Sequence, residues 1–138
     1  MELIFGSLDG SGYGYGDGDK VYWAACIAGF ADAWPKNQQE RLRALQSDGA
    51  VIAYWLSDKA GKPCNGGRGK PVSPGHVDTE KGPLNLCASG TLHATHLPTK
   101  WRGDRWWIVA LTGEIASDDD KYGALHREVI GEAIFPLK

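Results

Sequence analysis

DRWWIVALTGEI, residues 104–115, decides how the rest of the chain has to be arranged. Successive side chains of an extended strand point to opposite faces. Trp106, Ile108 and Ala110 therefore fall on one face, and Trp107, Val109 and Leu111 on the other. A strand that is apolar on both faces must be covered on both. The segment is expected at the centre of a sheet, with one layer of structure above it and another below.

Working outward, AVIAYWL (50–56) has strong strand propensity and reads as a second buried strand. PLNLC (83–87) alternates, with Leu84 and Leu86 opposite Asn85 and Cys87, and TLHATHL (91–97) continues the pattern with Leu92 and Ala94 opposite His93 and Thr95. A bend at Ser89-Gly90 separates the two runs. YGALHREVIGEAIF (122–135) is expected as one strand or as a short helix followed by a strand. Helices supply the covering layer. Trp23, Ile27, Phe30 and Trp34 form one apolar stripe at i, i+4, i+7 and i+11. Pro35 stops that helix and can open the next. In KNQQERLRALQS (36–47) Leu42 and Leu45 point inward, and Asp48-Gly49 is a stop signal. The expected fold is α+β, an N-terminal helix pair packed on a mostly antiparallel sheet. It forms a single domain over 1–138, with a Gly-rich loop at 6–19, helices at about 20–48, a sheet at about 50–135 and a long loop at 57–82.

The totals fit that outline. A chain of 138 residues holds one domain. With 42% hydrophobic and 23% charged residues it has the composition of a soluble globular protein. A net charge of −2 runs against nucleic-acid binding, which needs a basic face. No window approaches the ~20 apolar residues of a membrane span, and MELIFGSLDG has neither the basic start nor the apolar length of a signal peptide. The three cysteines, Cys26, Cys64 and Cys87, are an odd number without a CxxC pair. A disulfide framework is not expected, and a reducing cytoplasm is the expected location.

Chemistry concentrates in CASGTLHATHLP (87–98). A thiolate nucleophile needs a base nearby and a third group to orient that base. Cys87 and His93, with Asp120 or Glu114 as orienter, would meet this requirement across the Ser89-Gly90 bend. The plainer reading makes Cys87 a small buried hydrophobe and gives each histidine a backbone carbonyl as partner. No metal is expected. If one were held, Cys87, His93 and His96 are the candidate ligands, although they lack the paired spacing of zinc sites. SDDDK (117–121) lacks the spacing of a calcium loop and reads as a solvated turn. GSLDGSGYGYGDGD (6–19) is glycine-rich but has no GK[ST], and Asp9, Asp17 and Asp19 would repel phosphate. A surface loop carrying Tyr13 and Tyr15 is the better reading. No cofactor is expected.

The run from AYWLS through GPLNLCASGTLHAT, WWIVALTGEI and DDKYGAL to REVIGE resembles an uncharacterised family of short phage and prophage-type bacterial proteins. Its mark is a C-x-x-G-LHA turn, then an aliphatic strand and an acidic DK turn. Cys87, Gly90, Leu92, His93, Ala94, Gly113, Asp120 and Lys121 carry the pattern, with Thr91 inserted between the Gly and the Leu. The likeness spans roughly residues 50–132. It implies a viral or mobile-element origin, and so a host-cell cytoplasmic setting, but no reaction.

WRGDRWW (101–107) combines tryptophan with arginine, the residue types most enriched at binding hot spots. At least one of Trp106 and Trp107 is expected in the core, whereas Trp101 lies in a turn. Trp101, Arg102 and Arg105, with Tyr13 and Tyr15, are the candidate contact residues for a host or viral protein partner. A small cysteine/histidine-based enzyme is the alternative. The oligomeric state is left open.

Overall fold

The computed structural model describes residues 17–63, 70–86 and 88–135. The Gly-rich stretch up to residue 16, including Tyr13 and Tyr15, lies outside the described residues, as do Cys64 and Cys87. Among these residues two helices, α1 (Asp17–Ala31) and α2 (Lys36–Ser47), precede seven strands: β1 (Val51–Ser57), β2 (Val77–Thr79), β3 (Leu92–Ala94), β4 (Arg105–Leu111), β5 (Ile115–Ser117), β6 (Tyr122–Ala124) and β7 (His126–Ala133). A 3-10 turn, Pro98–Lys100, links β3 to β4. The strands form a four-stranded sheet in the order β1-β4-β7-β2 and a three-stranded sheet in the order β3-β6-β5. Every pairing is antiparallel.

The alternation along 105–111 is realised in β4, which lies between β1 and β7. Ile108 and Ala110 join Ile27, Phe30, Trp34, Leu42 and Leu45 in a core beneath the helices. Trp107, Val109 and Leu111 join Ala94 of β3 and Ala124 of β6 in a second core. Helices thus cover one face of the four-stranded sheet and the small sheet covers the other. The fold is α+β, with the helix pair on the sheet.

The helix pair is closed by its own polar groups. Pro35 accepts backbone hydrogen bonds from Gln38 and Gln39 at 3.0 and 3.2 Å and so opens α2. The Gln39 side chain donates back to the carbonyls of Ala31 and Trp34, at and just past the end of α1, at 3.0 and 3.2 Å. At the far end of α2, Gly49 N–H bonds to Gln46 O and Ala50 N–H to Leu45 O, both at 3.1 Å, which is the Schellman pattern. Arg41 then ties α2 to β7 through both oxygens of Glu128, each at 2.8 Å.

A bulge decides which residues of β7 face the helices. Ile108 pairs with Gly131 and Val109 with Val129, leaving Ile130 as the extra residue. Ile130 and Gly131 therefore both face the helical side. A Cβ on Gly131 would come within 2.4 Å of the Trp34 ring, so the bare backbone there admits the indole. Trp34 Nε1 donates to Glu132 O at 2.7 Å.

Four features differ from the sequence reading. α1 begins at Asp17, inside the stretch read as a Gly-rich loop. Residues 83–86 form no strand despite their alternation. Ala88 N–H bonds to Asn85 O and Thr91 N–H to Ala88 O, so the chain coils through two short turns where a ladder was expected. The 57–82 stretch contains β2, paired with β7 through Val77, Asp78 and Thr79. The final segment resolves into two strands, β6 and β7. Among the described residues no helix is long and apolar enough to cross a membrane.

Candidate functional site

The two sheets touch where the edge of β1 is bridged. Tyr54 and Thr95 exchange backbone hydrogen bonds, each at 2.8 Å. Buried Thr95 also donates its hydroxyl to Asp120 O, which holds the turn between β5 and β6 against β3. That turn is tightened by Asp118, whose Oδ1 accepts from the N–H groups of Asp120 and Lys121 at 3.3 and 3.2 Å. The SDDDK run is an exposed turn whose job is local, and its last residue, Lys121, is held beside the seam. On the other side Pro98 opens the 3-10 turn, and Trp101 N–H closes it on Pro98 O at 3.1 Å. Gly103 lies so close to β1 that a Cβ would meet Leu56 Cβ at 2.5 Å, and Asp104 N–H donates to Ser57 O at 2.8 Å. The Lys100–Arg102 segment is therefore pinned along the sheet edge.

Between these elements opens a cleft of about 640 Å³. Its walls carry Trp55 of β1, Trp101, and four cations: Lys100, Arg102, Lys121 and Arg127. Among the described residues no carboxylate lines it. Four cationic residues thus line one cleft in a chain of net charge −2, although Asp78, outside the lining, offsets part of Arg127.

Arg127 is the unusual member. A cation is seldom buried without a good partner, yet the Arg127 side chain is only 8% exposed. Its guanidinium stacks over Trp55 at 4.6 Å and donates to His93 O at 2.9 Å. Asp78 approaches Nη2 only at 3.3 Å, and the same carboxylate takes His76 Nε2 at 3.0 Å. Arg127 Nε is buried without a hydrogen-bond partner. Burial pushes this guanidinium below the ordinary arginine range, against the opposing pull of Asp78 and Glu80.

The other candidate residues are placed as follows. His93 donates Nε2–H to Leu86 O at 2.7 Å, and no hydrogen bond joins its ring to Asp120. His96 donates Nε2–H to Ile52 O at 2.7 Å, while its Nδ1 accepts from Tyr122 Oη at 3.1 Å. Each ring thus has a backbone carbonyl as partner. The geometry of Cys87 lies outside the described residues. Among the described residues no three His, Cys, Asp or Glu side chains gather to hold an ion. Trp101 and Arg102 line the cleft. Arg105, from the same WRGDRWW run, is engaged elsewhere. Its Nε and Nη2 donate to both oxygens of Glu132 at 2.8 and 2.7 Å, and its guanidinium lies over Trp107 at 4.6 Å. It braces β4 against β7.

Sequence reasoning missed Arg127 and Trp55 as site residues. A signal was present in the alternation of HREVI (126–130), which sets Arg127 on the same face as inward-pointing Val129. No family model, curated protein or solved structure matches the chain.

Proposed function

We propose that the protein is a small phage-associated accessory protein that acts by binding a host or viral protein partner, and that the cleft between the sheets receives an acidic group of that partner. One observation carries the reading: four cationic residues and two tryptophans line a cleft in which, among the described residues, no carboxylate takes part. Tryptophan and arginine concentrate binding energy where they are partly enclosed, and Trp101 with Arg102 forms such a rim. The overall charge of −2 favours a single acidic group entering the cleft over a long nucleic-acid backbone, which needs an extended basic face. The phage setting rests on the C-x-x-G-LHA resemblance.

Affinity capture from the host, with wild type beside Arg102→Glu, tests this. The wild type retains a partner at about 0.1 M salt and the variant loses it, because a rim charge steers association and is screened over roughly 10 Å. An identical set of captured proteins from both baits would overturn the reading.

A further inference from the structure

Three arginines among the described residues make carboxylate contacts through the same edge, and one of them differs. Arg41 and Arg105 each set Nε and Nη2 against both oxygens of a glutamate, at 2.8 and 2.8 Å and at 2.8 and 2.7 Å. Arg127, more deeply buried than either, offers that edge to a single Asp78 oxygen at 3.3 Å, and its Nε has no partner. Such under-matched burial of a strong donor is costly. Trp55 and His93 O hold the guanidinium, and Arg127 is among the residues that line the cleft.

Charge arithmetic then selects the ligand. Asp78 offsets part of Arg127, while Lys100, Arg102 and Lys121 make no ion pair with a described residue. A carboxylate brings one charge and two oxygens. A phosphate monoester brings nearly two charges and three strong acceptor oxygens, a closer match to several separate cations around one cleft.

We infer that the cleft is a binding site for a dianionic phosphate group, anchored by Arg127 on Trp55 and lined by Lys100, Arg102 and Lys121. The inference deepens the binding reading by naming the acidic group. The dianion can come from a phosphorylated side chain of the partner or from free phosphate, and the chemistry recognised is the same.

Titration of the full chain with inorganic phosphate near pH 7.5, followed by tryptophan fluorescence and calorimetry, tests it against acetate at matched ionic strength. Phosphate is expected to saturate the signal and acetate to bind at least tenfold more weakly. Arg102→Gln and Lys121→Gln, both away from the buried core, are each expected to weaken phosphate about tenfold, the value of one charge-assisted hydrogen bond. Arg127→Lys keeps the charge, removes the planar fork and is expected to abolish saturation, with circular dichroism confirming the fold. Equal binding of phosphate and acetate, no saturation by either, or unaltered affinity in both glutamine variants would overturn the inference. Phosphatase treatment of the lysate before capture separates the sources: loss of the partner assigns the phosphate to it, and retention together with phosphate binding assigns the site to free phosphate. Failure to capture any partner while phosphate still binds would strike the partner reading alone.

Discussion

The two faces of the four-stranded sheet are built from alternate residues of the same strands, and they end up doing opposite things. Beneath the helices, Tyr54, Leu56, Ile108 and Ile130 meet Phe30, Trp34, Leu42 and Leu45 in a sealed apolar layer. Its one buried phenol, Tyr54, donates to Trp23 O at 2.6 Å, and burial pushes its ionisation far above the ordinary tyrosine range. Among the described residues, no buried side-chain polar atom on that face lacks a hydrogen-bond partner. Beneath the small sheet, Trp55, Val109 and Val129 begin a similar core, but Arg127 enters it two residues before Val129 and the layer parts into a charged cleft. The lesson is that one residue of the inward set, changed from apolar to cationic, turns a packing surface into a recognition surface without altering the strand pattern.

Substitutions sharpen the contrast. Trp34→Ala, on the sealed face, is expected to cost about 3–5 kcal/mol in urea unfolding, since it empties the space that Gly131 leaves for the indole. Glu128→Gln, which breaks the clamp between α2 and β7, is expected to cost about 1 kcal/mol, because Arg41 is half exposed and solvent screens the pair. That loss depends on pH. The Arg41 hydrogen bonds hold the Glu128 carboxyl below the ordinary range against the opposing effect of burial, so the folded state binds this proton less readily than the unfolded chain. The stabilisation is complete above the unfolded value of about 4.3 and disappears as pH falls through the lower folded value. Wild type and Glu128→Gln should therefore differ in unfolding free energy at pH 7 and converge toward pH 3; a gap that stays constant across that range would break the assignment.

Arg127→Met probes the other face. It replaces a buried, poorly matched cation by an apolar chain of similar length, and stability is expected to stay within about 1 kcal/mol of wild type while phosphate binding is lost. A loss as large as that of Trp34→Ala would make Arg127 a structural strut and erase the difference between the faces. Arg102→Gln, exposed at the rim, is expected to change stability by less than about 0.5 kcal/mol and yet to weaken binding.

Much of the sealed face was legible in the sequence because its signals are local. The stripe of Trp23, Ile27, Phe30 and Trp34, and the two-sided apolar run of β4, state their periods within a dozen residues. β2 was not legible: VDT (77–79) is a three-residue edge strand with no apolar run, and only its pairing to β7 makes it a strand. The alternation at 83–87 misled because turn hydrogen bonds through Asn85 and Ala88 outcompete a ladder. The cleft was half legible. Trp101 and Arg102 stood out in WRGDRWW, but nothing local separates Arg102, which lines the cleft, from Arg105, which is taken by Glu132. The alternation of HREVI puts Arg127 on the inward face, but its partner there, Trp55, is far away in the chain and is brought to it only by the fold.

The most direct measurement uses the six indole N–H signals of the protein, followed by nitrogen–proton correlation spectroscopy while inorganic phosphate is added. Trp55 and Trp101 should shift and saturate together, while Trp34 and Trp107, whose Nε1 groups are committed to Glu132 O at 2.7 Å and Ser57 Oγ at 2.8 Å, should stay where they are. If no indole moves, or if all six drift together without saturating, the cleft is not the place where this protein meets its ligand.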